Sequence, residues 1–382
     1  MGEICFVRGN AIEQKISLEE LQNEIAKALK IDNLCFLIGA GCSSMIQEEK
    51  EIGIPTMLGL YSGFFERYPD FKVGGKDARS LFDNNLEKMM QSLEAIEIAN
   101  EIQEIDNQAN KKIKNISNYI RQQVIAGIEQ TDSRVFDTYK EFYKRISQRK
   151  RKSPINIFTT NYDLFNEIAL DELGYPYNNG FSGTYKRKFS PASYNYMYVD
   201  DMNLSKEVWE GSSFFFNLVK LHGSISWVRE KNDIWEKDYK TLADYETVMI
   251  YPTPMKDRST LMTPYSDLFR VMENKLMQQN TILITIGYSF SDDHINRIIL
   301  NALAVPSFKL IVFGQSESIN RLTKIGDSRI TVINSPDHIH YFDNVVRTVL
   351  PHPSPEVLEK TQQKSYETII KSFIDGSIRY EQ

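Results

Sequence analysis

Apolar residues recur along this chain in two rhythms, and each predicts a different element. Leu34 to Ile38, Ile155 to Phe158, Phe214 to Leu221, Thr281 to Ile286, Lys309 to Phe313 and Ile330 to Ile333 are short runs dominated by apolar and β-branched residues. Runs of that length read as strands covered on both faces, the situation in a parallel sheet. Ile4 to Val7 predicts a further, peripheral strand. Between the runs the spacing changes to threes and fours. Leu18, Leu21, Ile25 and Leu29 share one helical face, and Ser17 with Glu20 forms a capping-box pattern ahead of them. Helices are also predicted over Leu164 to Glu172, over Leu268 to Met277, and through Ile295, Ile298, Ile299 and Ala302 with Ser291 as N-cap. Strands alternating with helices give an α/β fold: a Rossmann-like, mostly parallel sheet flanked by helices.

The alternation stops between about residues 57 and 152. Tyr61 to Lys76 shows no clear period. Beyond it Ile96, Ala99, Ile102, Ile105, Ala109, Ile113, Ile116, Ile120 and Val124 form one long helical stripe amid Glu, Gln, Asn and Lys. The expectation is an inserted, mainly helical subdomain at 57–152, its stripe packed within the chain or against a second subunit. The α/β core is then expected at 1–56 and 153–345, and a C-terminal helical extension at 346–382, with one helix over Glu356 to Phe373. Gly174 to Asp200, rich in Tyr, Asn, Gly and Ser, reads as an irregular excursion.

Composition narrows the classes. The chain has 382 residues, 41% of them hydrophobic, with 20 Tyr and 21 Phe to fill a core. A net charge of -6 argues against a surface that is broadly a nucleic-acid track. The basic run Arg149-Lys150-Arg151-Lys152 is the one place where local nucleic-acid contact is considered, against the plainer reading of a solvated helix end. Three cysteines (Cys5, Cys35 and Cys42) without CxxC spacing make neither a disulfide framework nor a structural zinc cluster. The N-terminus lacks the apolar core of a signal peptide, and no stretch of some 20 apolar residues is present. The expected setting is cytoplasmic, away from membranes.

The chemistry sits where strands end. Leu34 to Ile38 breaks into Gly39-Ala40-Gly41-Cys42-Ser43, small residues that permit a sharp turn and a close approach. The run lacks the lysine of a phosphate-loop ATPase. Later strands end in Thr159-Thr160-Asn161-Tyr162-Asp163, in Lys220-Leu221-His222-Gly223-Ser224 and in Gly287-Tyr288-Ser289-Phe290. Asn can donate and accept at one site, and His can take a proton near neutral pH. Asp163 could equally cap the following helix. Ser291-Asp292-Asp293-His294 reads as a helix start favoured by the helix dipole rather than as a metal site, and His338 and His340 as surface residues. Cys42 lacks a local base and is expected to pack.

In order and type these four loops resemble the NAD-binding core of the sirtuin family. They look most like the sirtuin-like NAD-consuming domains of bacterial anti-phage defence proteins. The resemblance covers about residues 30–56, 153–173, 214–228, 248–254 and 281–335. It implies NAD as substrate, with Gly39, Ala40, Gly41 and Ser43 at the phosphates and adjoining ribose, and Thr160, Gly287 and Ser289 also lining the dinucleotide site, Ser289 on the adenosine side. Asn161, supported by Asp163, would lie beside the nicotinamide ribose, and His222 would be the catalytic histidine.

Two departures shape what it implies. The interval Ser224 to Thr247 has no cysteine, where a protein-deacylating sirtuin carries a four-cysteine zinc module, so no zinc is expected. Gly53-Ile54-Pro55 continues as Thr56-Met57-Leu58, where the family pattern has Asp-Phe-Arg. The resemblance therefore implies an NAD glycohydrolase, a homo-oligomer, and a HerA-type hexameric ATPase as partner. The alternatives are a non-catalytic NAD or ADP-ribose sensor and an NAD-dependent deacylase or ADP-ribosyltransferase.

Overall fold

A computed structural model describes residues 3–9, 14–47, 50–82, 84–102, 108–129, 133–147, 151–199, 212, 215–242, 247–249 and 263–352. The expected helix at Glu356 to Phe373, Ile105, and the residues Arg149 and Lys150 of the basic run lie outside them.

The predicted runs assemble into one sheet, nine-stranded among the described residues. Its strands, numbered along the chain, are β1 (Ile4–Arg8), β2 (Gln14–Ile16), β3 (Asn33–Ile38), β4 (Ile155–Thr159), β5 (Tyr177–Asn178), β6 (Phe216–Lys220), β7 (Thr281–Ile286), β8 (Lys309–Phe313) and β9 (Ile330–Asn334). Their order across the sheet is β2-β1-β9-β8-β7-β3-β4-β6-β5. From β9 to β5 every pairing is parallel, while β1 runs antiparallel to both β9 and β2. The chain lays down β3, steps one way to β4 and β6, then returns to the other side of β3 for β7, β8 and β9. This is the doubly wound strand order, and its reversal falls between β3 and β7, where such sheets open a ligand crevice.

The helices are α1 (Leu18–Ala28), α2 (Met57–Arg67), α3 (Leu86–Ile102), α4 (Ala109–Glu129), α5 (Ser133–Ile146), α6 (Phe165–Leu173), α7 (Tyr265–Leu276), α8 (Asp293–Ala302) and α9 (Glu317–Thr323). The Ser17–Glu20 capping box that opens α1 is formed as the sequence predicts. Alternation along each strand divides the core in two. Phe36 and Ile38 face a cluster shared with α1 and with Phe64, Ile116, Ile120, Val124 and Phe142 of the helices between β3 and β4. Cys35 and Leu37 face the other cluster, with Leu268, Met272, Ile295 and Ile299 of α7 and α8. Several residues of the long polar-flanked stripe, Ile116, Ile120 and Val124 among them, are thus buried within the chain itself.

Three local expectations change. Residues 57–67 form α2, the first helix of the insertion, although Tyr61 to Lys76 shows no clear period; Tyr61, Phe64 and Phe65 bury aromatic area against one another and against Tyr119 of α4. The irregular excursion contributes Phe181–Ser182 and Arg187–Phe189 to a second, five-stranded sheet with Gly223–Glu230, Asp233–Glu236 and Thr247–Met249. Arg151 donates to the Leu29 and Ile31 carbonyls, so this member of the basic run serves the C-terminal end of α1, where carbonyls lack helical partners.

Candidate active site

The loops after β3 and β7 are knitted together. Gly39 N–H donates to the Ile286 carbonyl (3.0 Å), Gly41 N–H to the Gly287 carbonyl (3.0 Å), and the Cys42 thiol to the Ile286 carbonyl (3.2 Å). A Cβ on Gly39 would stand 2.3 Å from the Gly287 oxygen. Gly287 has φ of +65°, and a Cβ there would lie 2.7 Å from Cys42 N. These glycines are therefore required by loop-to-loop contact. Cys42 is buried, which pushes its thiol well above the usual range and suits a packing role.

Two cavities meet along this seam, sharing Gly287, Tyr288 and Ser289. The smaller, ≈ 240 Å³, holds Ala40, Thr160, Asn161, Asp163 and His222, roofed by apolar Met57 and Leu60 of α2 and Ile120 and Val124 of α4. The larger, ≈ 550 Å³, runs over Gly41 to Gly314, Gln315, His340 and Tyr341. Gly39 lines neither cavity. His340, read from the sequence as a surface residue, is a wall of the larger one, half-buried, and burial lowers its pKa.

Ser43 is the hub beneath the smaller cavity. Its hydroxyl donates to Asp163 Oδ2 (2.7 Å) and accepts from Asn161 Nδ2 (2.9 Å). The Tyr139 hydroxyl at 2.8 Å must then be a donor, because the single Ser43 proton is already used. Asn161 Nδ2 also reaches the Gly39 carbonyl (3.1 Å), which fixes the direction of the amide. Its Oδ1 is buried and has no hydrogen-bond partner, although the residue is only 6% exposed. An unpaired buried acceptor costs about 1–3 kcal/mol, a penalty that a ligand hydroxyl or a water would remove. Asn161 itself lines the small cavity.

Asp163 divides its carboxylate between a helix cap and Ser43. Oδ1 caps the Phe165 N–H at the start of α6 (3.0 Å), and Oδ2 holds Ser43. Burial raises its pKa, opposed first by the Lys220 ammonium and then by the Ser43 hydrogen bond. Lys220 is fully buried in β6, donates to the Asp163 carbonyl, and pairs with Glu167 of α6 at 2.9 Å. The sequence assigns neither residue a role: Lys220 stands inside the apolar run Phe214 to Leu221, and Glu167 resembles an ordinary surface charge of a helix.

His222 sits on the turn after β6, 5% exposed, with Nε2 3.0 Å from Asp292 Oδ2. The other oxygen of Asp292 accepts from the His294 and Ile295 N–H groups and caps α8. The N-cap is therefore Asp292 and not Ser291, whose hydroxyl accepts from Ser289 instead. The sequence reading explained Asp292 through the helix dipole alone; 70 residues of separation hid its pairing with His222. Ser289 is exposed at the junction of the two cavities. All ten expected residues thus gather at one end of the sheet, with Asn161, Asp163, His222, Thr160 and Ala40 on the small cavity and Gly39 behind it.

No group of three or more His, Cys, Asp or Glu that could hold a metal occurs among the described residues, and no described helix is long and apolar enough to cross a membrane. No curated protein matches the chain in a sequence search. Residues 155–333, from β4 into β9 and including the Asn161, His222 and Ser289 loops, match the family model of the SIR2-like domain. With the doubly wound sheet, this match supports a sirtuin-like domain, a class whose members are generally NAD-dependent enzymes.

Proposed function

We propose that the protein is an NAD glycohydrolase, cleaving NAD with water to nicotinamide, ADP-ribose and a proton. One observation carries the reading: Asn161, whose Oδ1 is buried and unpaired, lines the same small cavity as His222, and a larger cavity joins it across the Gly287–Ser289 seam. A two-lobed cleft suits a dinucleotide, with the nicotinamide ribose in the small lobe and the adenosine half in the large one.

In this reading Asn161 Oδ1 accepts from a ribose hydroxyl or from the attacking water and orients it. As the glycosidic bond to neutral nicotinamide breaks, the ribose gains oxocarbenium character, and the nearby Asp163 carboxylate favours that charge in a water-poor pocket. His222 accepts the proton released by the ribose hydroxyl or by water. Met57, from the Thr56-Met57-Leu58 stretch that replaces the family's Asp-Phe-Arg, joins Leu60, Ile120 and Val124 in an apolar roof that suits the nicotinamide ring better than an extended peptide.

An enzyme that drains NAD endangers its own cell. Activation in anti-phage defence, under control of homo-oligomerisation or a HerA-type ATPase, is therefore proposed with the chemistry. The test is free nicotinamide released from NAD by the purified protein, alone and with its partner. Asn161→Ala and His222→Ala are expected to lower kcat by about 10²–10⁴-fold. NAD binding without turnover in every assembly state would replace the enzyme by a sensor.

A further inference from the structure

We infer that Asp292 is the positioning residue of the site: its carboxylate holds His222 in the Nε2–H tautomer and so makes Nδ1 the ring's basic nitrogen. The inference rests on the proposed hydrolysis for its kinetic consequence, but not for its structural content.

The geometry is specific. Both side chains are buried, His222 at 5% and Asp292 at 6% exposure, and Nε2 to Oδ2 is 3.0 Å. Asp292 cannot swing away, because Oδ1 is held by two N–H groups at the start of α8, at 3.0 and 3.4 Å. One carboxylate thus divides its two oxygens between a helix terminus and an imidazole. The Tyr162 ring lies beside the imidazole, with 6.4 Å between centroids and 35° between planes. A carboxylate can only accept, so the nitrogen facing it must carry the proton. Fixing which nitrogen is protonated decides which one can act as base, and a carboxylate partner favours the imidazolium formed when the base takes its proton. An N-cap alone needs one oxygen; the second would ordinarily face water.

Asp292→Asn separates the two duties. Its amide oxygen can still cap α8, while its NH₂ now faces Nε2 and demands a lone pair there. His222 must then carry its proton on Nδ1. The experiment compares wild type, Asp292→Asn and Asp292→Ala in three measurements. With histidine labelled at the ring nitrogens and the five histidines assigned by substitution, His222 is expected protonated on Nε2 in the wild type and on Nδ1 in Asp292→Asn. In nicotinamide release, Asp292→Asn is expected to lose on the order of 10²-fold or more in kcat with KM within a few-fold of wild type. Its Tm should stay near wild type, with only Asp292→Ala losing the cap. A His222 tautomer unchanged by Asp292→Asn, a wild-type kcat in that variant, or equal losses in both variants that track Tm would each overturn the assignment. Should the wild type release no nicotinamide in any assembly state, hydrolysis falls, and the ring-nitrogen measurement alone decides the pairing.

Discussion

The two walls of the small cavity are held by different physics. On the β3–β7 side, order comes from steric exclusion: Gly39, Gly41 and Gly287 let two backbones touch, and their N–H and carbonyl groups satisfy each other. On the β4–β6 side, order comes from a buried polar network running from Tyr139 through Ser43 and Asp163 to Lys220 and Glu167. The first wall is rigid because nothing larger fits. The second is rigid because its donors and acceptors interlock; it leaves Asn161 Oδ1 and Glu167 Oε2 without partners, and of these two residues Asn161 is the one on the cavity. A site built this way keeps its shape at the seam and spends its hydrogen-bonding freedom at the network.

The comparison can be broken hardest at Lys220. Lys220→Met leaves Glu167 buried without its cation and is expected to cost about 3–5 kcal/mol, read from urea unfolding. Glu167→Gln in the same background should recover much of that loss, since the stranded charge is then gone. At the seam the expected effect is smaller and depends on position. Gly39→Ala drives a Cβ against the Gly287 carbonyl and should cost about 1–3 kcal/mol. Gly41→Ala meets Gly287 Cα at 3.1 Å, and should cost well under that while leaving the fold intact. Equal losses for the two alanines would contradict the contact geometry.

The smallest effect is a pH slope. Burial raises Asp163 and Glu167 above their unfolded values, so the folded state binds protons more readily than the unfolded chain. Their contribution to stability is therefore fully present below the unfolded pKa values and lost as pH rises through the folded ones. Asp163→Asn should flatten the stability profile in the window upward from pH ~4, where the unfolded carboxyl begins to titrate. The opposite slope would mean that Lys220 and Ser43 outweigh burial at Asp163.

The chain announced its sheet well and its site only partly. Both faces of β3, β4 and β7 are covered and β8 is largely so, and apolar and β-branched residues therefore dominate these runs. The α2 helix does bury one face at helical spacing, Leu60, Tyr61, Phe64 and Phe65, and only its short length beside the aperiodic stretch to Lys76 hides that period in the sequence. Short strands at 181–182 and 187–189 were hidden because two or three residues carry no readable alternation. Within the site, Asn161 and His222 were visible because each stands just after a strand. Asp292 reads in the sequence only as part of a helix start, Lys220 only as a member of a strand-end stretch, and Glu167 carries no signal at all.

The sequence by itself determined which residues end the strands, and therefore which side chains could meet at the carboxyl edge of a parallel sheet. That follows locally, from covalent order and the two-residue alternation of a strand. Only the tertiary structure decided what each of them does there. The glycines serve loop contact, Ser43 spends its hydroxyl inside the protein, and Asp292 faces His222 across 70 residues. Those outcomes depend on which loops are neighbours in space and on the direction of each hydrogen bond, which no periodicity along a chain records.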